Sequence, residues 1–145
     1  MKKYLNKVFM HLRQFISFGN GRETRWFNEE VISRIDKWFK EKGYCSSEQS
    51  MGDVADLFGI SKEELSWYCR STFGESFLSV RKDLRIHEAR RLISERPDLP
   101  LRTIGEMVGI NDKTNFRRQF YEVLGITPYE WRSRILELRK RNHRN

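Results

Sequence analysis

Proline and glycine are scarce, with 3 and 9 in a chain of 145 residues. Folds of many short strands consume both at their turns, so that class is excluded and helices become the default. Cysteine is scarcer still. Cys45 and Cys69 are too few for a disulfide scaffold and, with no histidine close by, for a zinc site. Reduced thiols in a reducing compartment account for them. His11, His87 and His143 lie far apart without metal-ligand spacing. No glycine-rich phosphate loop and no Ser/His/Asp set stands out, so the sequence reads as a non-enzyme needing neither metal nor cofactor. No run of about 18 apolar residues occurs, which excludes a membrane-spanning helix. Met1-Lys2-Lys3 imitates a secretion signal, but Lys7, His11 and Arg13 break its apolar stretch and no cleavage site follows. A cytoplasmic location is expected.

Positive charge is what the chain has in excess. Lys and Arg number 28 against 20 Asp and Glu, a net of +8. Such an excess points to a polyanion, either nucleic acid or an anionic membrane surface. The charge is uneven: residues 1–72 carry +2 and residues 73–145 carry +6. The C-terminal half therefore meets the anion more strongly. Apolar residues make up 38%, with 10 Phe and 4 Trp, enough to fold one domain or two very small ones.

Apolar residues at three- and four-residue spacing predict a helix over 3–18, striped by Leu5, Val8, Phe9, Leu12, Phe15 and Ile16. Gly19-Asn20-Gly21 breaks it. The stripe has three destinations: its own domain, a second copy of the chain, or a lipid surface favoured by Lys2, Lys3, Lys7 and Arg13. A second helix is expected from Asn28 as N-cap to Gly43 as stop, with Val31, Ile32, Ile35, Trp38 and Phe39 inward. A polar loop over 44–50 follows, with Ser50 capping the next helix.

From Ser50 the chain repeats itself. A shift of 50 sets Val54 against Ile104, Ala55 against Gly105, Phe58 against Val108 and Gly59-Ile60 against Gly109-Ile110. One inserted residue later, Leu65 matches Phe116, Cys69 matches Phe120, Gly74 matches Gly125 and Arg81 matches Arg132. Each copy reads helix, glycine, helix, glycine, helix start. A small residue, Ala55 or Gly105, stands four before the first glycine, where a following helix must pack closely. Gly59 and Gly109 suit a left-handed stop. Ile60 and Ile110 plug the corner, and Ser61 and Asp112 can cap the second helix. This is the layout of a helix-turn-helix, which offers its second helix to a DNA major groove.

Between the copies, residues 76–95 read as one helix with Phe77, Val80, Leu84, His87, Ala89, Leu92 and Ile93 inward. Twenty residues span roughly 30 Å. Successive major grooves on one face of B-DNA are about 34 Å apart. One rod of this length can hold two readers in adjacent grooves.

These residues resemble the AraC/XylS-type transcription regulators over about 28–135. The stretch Ile104-Gly105-Glu106-Met107-Val108-Gly109-Ile110-Asn111-Asp112, then Phe116-Arg117-Arg118-Gln119-Phe120 and Gly125-Ile126-Thr127-Pro128-Tyr129-Glu130-Trp131-Arg132, follows that family's signature. Leu84-Arg85-Ile86-His87-Glu88-Ala89 resembles its linker helix. The resemblance implies an all-α fold: two helix-turn-helix subdomains, homeodomain-like three-helix units, joined by a long linker helix. It also implies a bacterial-type regulator, usually an activator, that binds double-stranded DNA and associates with the nucleoid. The domain is expected over 26–135, with units at about 50–74 and 100–124, an N-terminal helix and linker over 1–25 and a frayed basic tail over 136–145. With about 27 residues ahead of the domain, no small-molecule effector site is evident, as in short members lacking a sensor domain.

By position, the second recognition helix exposes Lys113, Thr114, Asn115, Arg117 and Arg118. Arg can fork guanine O6 and N7, and Asn can do the same with adenine N6 and N7. Phe116 and Phe120 read as core. The first recognition helix exposes Lys62, Glu63, Glu64, Ser66, Trp67 and Arg70 and departs from the pattern. Residues 50–74 sum to −2, where 100–124 sum to +1. Glu63 can accept from cytosine N4, and Trp67 can meet thymine methyls or bury against a partner such as another regulator or an RNA polymerase subunit. Arg81, Arg85 and Arg132 are candidate phosphate contacts, with an internal bond the alternative for Arg81 and Arg132. If about six phosphates are neutralised, log affinity for duplex DNA should fall against log salt with a slope of about −5. Filter-binding or anisotropy across a salt series measures it, and a slope near zero removes DNA as the main partner.

Overall fold

The computed structural model describes residues 28–142, and all of their regular structure is helical. The expected helix over 3–18, with its Leu5 to Ile16 stripe, lies outside the described residues. Two compact units divide after Arg81.

In the first unit, α1 runs Glu29–Lys40. Asn28 caps it, its Oδ1 accepting from the Val31 N–H at 2.9 Å. Glu29 and Glu30 begin the helix and Lys37 and Lys40 end it, each charge opposing the local end of the dipole. Val31, Ile35, Trp38 and Phe39 are buried, whereas Ile32 is only half-buried. Gly43 does not stop this helix. Lys42 takes the left-handed conformation instead, at φ 55°, and Gly43 opens a short 3-10 turn, Gly43–Cys45. A side chain at Gly43 would run into the Trp38 ring, so packing rather than the helix end demands glycine there. Trp38 organises the unit's core, meeting Tyr44 and Phe58 edge-on at 5.9 and 5.6 Å.

Helix α2 spans Met51–Phe58 and α3 spans Lys62–Phe73. Both start with reciprocal capping boxes, Ser50 with Asp53 and Ser61 with Glu64, which satisfy two N–H groups that a helix start otherwise leaves open. Between them Gly59, at φ 76°, lets its N–H reach the Asp56 carbonyl at 3.0 Å and the Ile60 N–H reach the Ala55 carbonyl at 3.0 Å. That is a Schellman stop with Ile60 buried as its apolar plug.

The linker helix α4, Phe77–Glu95, carries the chain across the division. Phe77, Val80, Leu84, Ala89 and Ile93 are buried as the stripe predicts, while His87 and Leu92 are half-buried. Ile86 and Glu88 are also buried, at 0% and 3% exposure. The helix is covered on more than one side, so a single-stripe reading misses them. Buried Glu88 takes the Arg91 fork at 2.9 and 2.6 Å, which offsets the desolvation of its charge.

The second unit repeats the motif with α5, Leu101–Met107, and α6, Lys113–Leu124. Gly109 sits at φ 79°. Its N–H bonds the Glu106 carbonyl at 3.1 Å, and the Ile110 N–H bonds the Gly105 carbonyl at 2.8 Å. Asp112 caps α6 through the Asn115 N–H at 2.6 Å. Helix α7 then runs Pro128–Asn142, so the expected frayed tail is helical as far as Asn142. It fastens onto the end of α4: Trp131 Nε1 donates to Ser94 Oγ at 3.1 Å, and Arg139 Nη2 donates to the Ser94 carbonyl at 2.7 Å.

The two turns differ in tightness. A Cβ on Gly105 would stand 2.8 Å from the Ile110 carbonyl oxygen and 3.3 Å from the Phe116 ring. Ala55 carries its Cβ at the equivalent place, so the second turn packs more closely than the first. Gly105→Ala should lower stability by about 1–3 kcal/mol through overpacking. Ala55→Gly should lower it by only about 0.5–1 kcal/mol through chain entropy. Urea denaturation of the two variants checks the order.

Candidate nucleic-acid interface

In the second unit, Phe116 and Phe120 turn inward and stack edge-on at 5.9 Å. That fixes the outward face of α6, because residues 113, 114, 117 and 118 occupy the opposite side at helical spacing. Lys113, Thr114, Arg117 and Arg118 are all exposed, and Asn115 is half-buried at the edge. The face is partly organised already. Arg118 Nη2 donates to Asn115 Oδ1 at 2.6 Å and its Nη1 to Glu122 at 2.8 Å, while Gln119 also donates to Asn115 at 3.0 Å. Arg118 must exchange these bonds to reach a base. Exposed pairs of this kind contribute about 0–1 kcal/mol, so the exchange is easy.

In the first unit, α3 buries Leu65, Tyr68 and Cys69 and turns Lys62, Glu63, Trp67 and Arg70 outward, with Ser66 half-buried. Glu64 belongs to the helix start rather than to the outer face, since its carboxylate accepts the Ser61 N–H at 2.7 Å. Burial pushes the Cys69 thiol up to about 12 and the Tyr68 hydroxyl upward as well. Both stay neutral, as the inner face requires. Trp67 keeps 36% of its surface exposed, on a helix whose two basic and two acidic residues cancel.

Arg81 and Arg132, equivalent in the repeat, have different surroundings. Arg81 Nη1 donates to the Gln49 carbonyl at 2.6 Å, and its guanidinium lies over the Phe77 ring at 5.2 Å. Burial lowers its pKa from the usual arginine value. Arg132 is half-buried, and its Nε and Nη2 find no acceptor among the described residues. Arg85 is half-buried on the linker helix.

Beside the α6 face lies a groove of about 940 Å³. The start of α5, the turn at Ile110, the first turns of α6 and the first turn of α7 build it, and Lys113, Arg117 and Arg132 line it. At its edge Thr127 and Glu130 form a capping box: the Thr127 N–H and hydroxyl both donate to Glu130 at 2.8 Å. Those bonds hold the Glu130 carboxyl below its usual pKa, helped by Arg134 and Arg117. The sequence reading missed the groove because four separate segments supply its walls. The capping pattern Thr127-x-x-Glu130 was the one local signal that the chain turns there.

Two helix-turn-helix units, each offering its second helix outward, define a bipartite helix-turn-helix protein. The comparisons agree. A family model described as a helix-turn-helix domain matches residues 54–134, and the chain belongs to the AraC-type helix-turn-helix family. It is 36% identical over 118 residues to the arabinose operon regulatory protein of Escherichia coli K12, covering 77% of this chain and 40% of that one. It is 28% identical over 104 residues to the RCS-specific HTH-type transcriptional activator RclR of the same organism, covering 72% of this chain and 35% of the relative. The chain thus spans well under half the length of these relatives. Among solved structures, the C-terminal domain of AraT, a response regulator from Geobacillus stearothermophilus, superposes with a TM-score of 0.63 at 24% identity, over 73% of this chain and 85% of that one. The C-terminal domain of the two-component response regulator yesN from Fusobacterium nucleatum gives 0.61 at 24% identity, over 69% and 96%. These two show the shared fold. No described helix is long and apolar enough to cross a membrane.

The Ser61–Glu64 box sets where α3 begins. Ser61→Ala should lower stability by about 1 kcal/mol, read by urea denaturation, with the outward residues of α3 untouched.

Proposed function

We propose that this protein is a sequence-specific DNA-binding transcription regulator that sets α3 and α6 in successive major grooves. The observation that carries the reading is the α6 face: Lys113, Thr114, Arg117 and Arg118 exposed together over a buried Phe116–Phe120 pair. Arg118 and Asn115 read base edges, Arg117 and Lys113 engage bases or phosphates, and Thr114 meets a phosphate or a thymine methyl. Arg132 is a better candidate for phosphate than Arg81, which already serves the Gln49 carbonyl, and Arg85 is a further candidate. The nineteen residues of α4 give a rod of about 28 Å, close to the groove spacing. Residues 26–135 act as the DNA-binding domain, with 1–25 and the basic 136–145 as additions.

A second reading attaches to the first unit alone. Glu63 and Trp67 are exposed side by side on α3, in a stretch, 50–74, that sums to −2, a surface better suited to a protein such as another regulator or an RNA polymerase subunit than to phosphate. Footprinting on a selected site tests both. Wild type should protect two patches on one DNA face, about 10 base pairs apart. Arg118→Ala should weaken binding by about 1–3 kcal/mol and relax one base position, while Glu63→Ala leaves affinity unchanged or tightens it. One protected patch assigns the first unit to protein contact. If Glu63→Ala abolishes binding and Arg118→Ala does nothing, the roles of the two helices are reversed.

A further inference from the structure

The groove on the second unit has features that reading base edges does not require. Leu101, Ile110, Phe116 and Pro128 make its walls apolar, and the Tyr129 ring at its edge is 70% exposed. Its volume of about 940 Å³ falls within the range of small-molecule pockets, about 300–1,000 Å³. Its charge is lopsided. Glu130 is the one acidic residue in the lining, and its carboxylate already accepts from Thr127. Arg102 is paired with Glu106 at 3.0 Å, which leaves Lys113, Arg117 and Arg132 to set the potential. Arg132 adds a specific demand. Its Nε and Nη2 form the side-on fork that takes both oxygens of a carboxylate, yet they are buried with no acceptor among the described residues. Buried donors without partners are costly. An anion that draws this guanidinium into the groove gains an ion pair and relieves that cost together.

We infer that the groove binds a small amphipathic anion, a flat apolar ring system bearing one carboxylate or similar group, and that its occupancy excludes DNA from Lys113 and Arg117. The rings lie along Phe116 and Tyr129 while the carboxylate meets Arg132 and Arg117. A bare phosphate, free or from a DNA backbone, satisfies the cations but leaves the apolar walls unused. The sequence alone gave no sign of an effector site, because no single segment contains one. The exclusion half of this inference rests on the DNA-binding reading above; the binding half does not.

The test is a titration of the ¹⁵N-labelled full chain with 2-naphthoate, followed by amide shifts. 2-Naphthalenemethanol and inorganic phosphate serve as the neutral and the purely anionic probes. Naphthoate should saturate with shifts at Ile110, Lys113, Phe116 and Tyr129 and none in the first unit. Each of the other probes should bind at least about tenfold more weakly, the loss expected when one of two comparable contributions is removed. Arg132→Gln and Tyr129→Ala should each weaken naphthoate about five- to tenfold. Tyr129 is exposed, so its variant keeps the fold and decides the matter if Arg132→Gln does not fold. Absence of saturation, shifts scattered over both units, or phosphate binding as tightly as naphthoate overturns the site. In a parallel arm, naphthoate should raise the apparent Kd for a selected duplex by the competitive factor, one plus the ratio of its free concentration to its own groove Kd. Groove binding with unchanged duplex affinity overturns the exclusion. A wild-type chain that takes naphthoate but no duplex supports the groove and overturns the DNA reading instead.

Discussion

Both units depend on the same backbone stop. In each, an isoleucine N–H returns to a carbonyl five residues earlier, Ile60 to Ala55 and Ile110 to Gly105, across a glycine with positive φ. The bond turns the chain sharply and buries the isoleucine in the corner. It also requires a small residue at the carbonyl end, because the second helix crosses directly over it. Everything outward of the turn follows from this. With the corner fixed, Leu65 and Cys69 or Phe116 and Phe120 face the core, and the opposite side of each second helix has nowhere to go but solvent.

The same scaffold therefore carries two different surfaces. The outer face of α6 has two arginines and a lysine, whereas that of α3 sets Glu63 and a partly exposed Trp67 between Lys62 and Arg70. The backbone stop is shared, while the side chains on the outward face of each second helix differ. The repeat also separates its arginines. Arg81 completes a loop by bonding the Gln49 carbonyl, while Arg132, beside a groove, has two donors with no acceptor among the described residues. A repeat in sequence predicts equivalent backbone, but not equivalent surroundings.

The linker helix shows how far patterning reaches. Its stripe located Phe77, Val80, Leu84, Ala89 and Ile93 correctly, because apolar residues at helical spacing must be covered. It missed Ile86 and buried Glu88, since a helix covered on more than one side has no single stripe. Glu88 looks like a surface residue until half-buried Arg91, one turn on, is seen to pair with its buried carboxylate. Gly43 is a similar case. Glycine after a helix reads as a stop, yet Lys42 takes the left-handed position and Gly43 is required only because Trp38 packs over it.

The sequence by itself determined where the helices of the two repeats lie, the two turns between them and, Glu64 apart, the outward face of each second helix. These rest on short-range rules: N-caps at Ser50, Ser61 and Asp112, left-handed glycines at 59 and 109, and apolar residues spaced by turns. Their physical causes act within a few residues, so they are written locally. Only the tertiary structure decided which polar groups meet and what space they enclose. The Arg118–Asn115–Glu122 cluster was within reach of spacing, but the Arg139 bond to Ser94, the Arg81 bond to Gln49 and the groove beside α6 were not. Each joins residues tens of positions apart or assembles several segments, and such proximities arise from the packing of helices rather than from the order of residues along the chain.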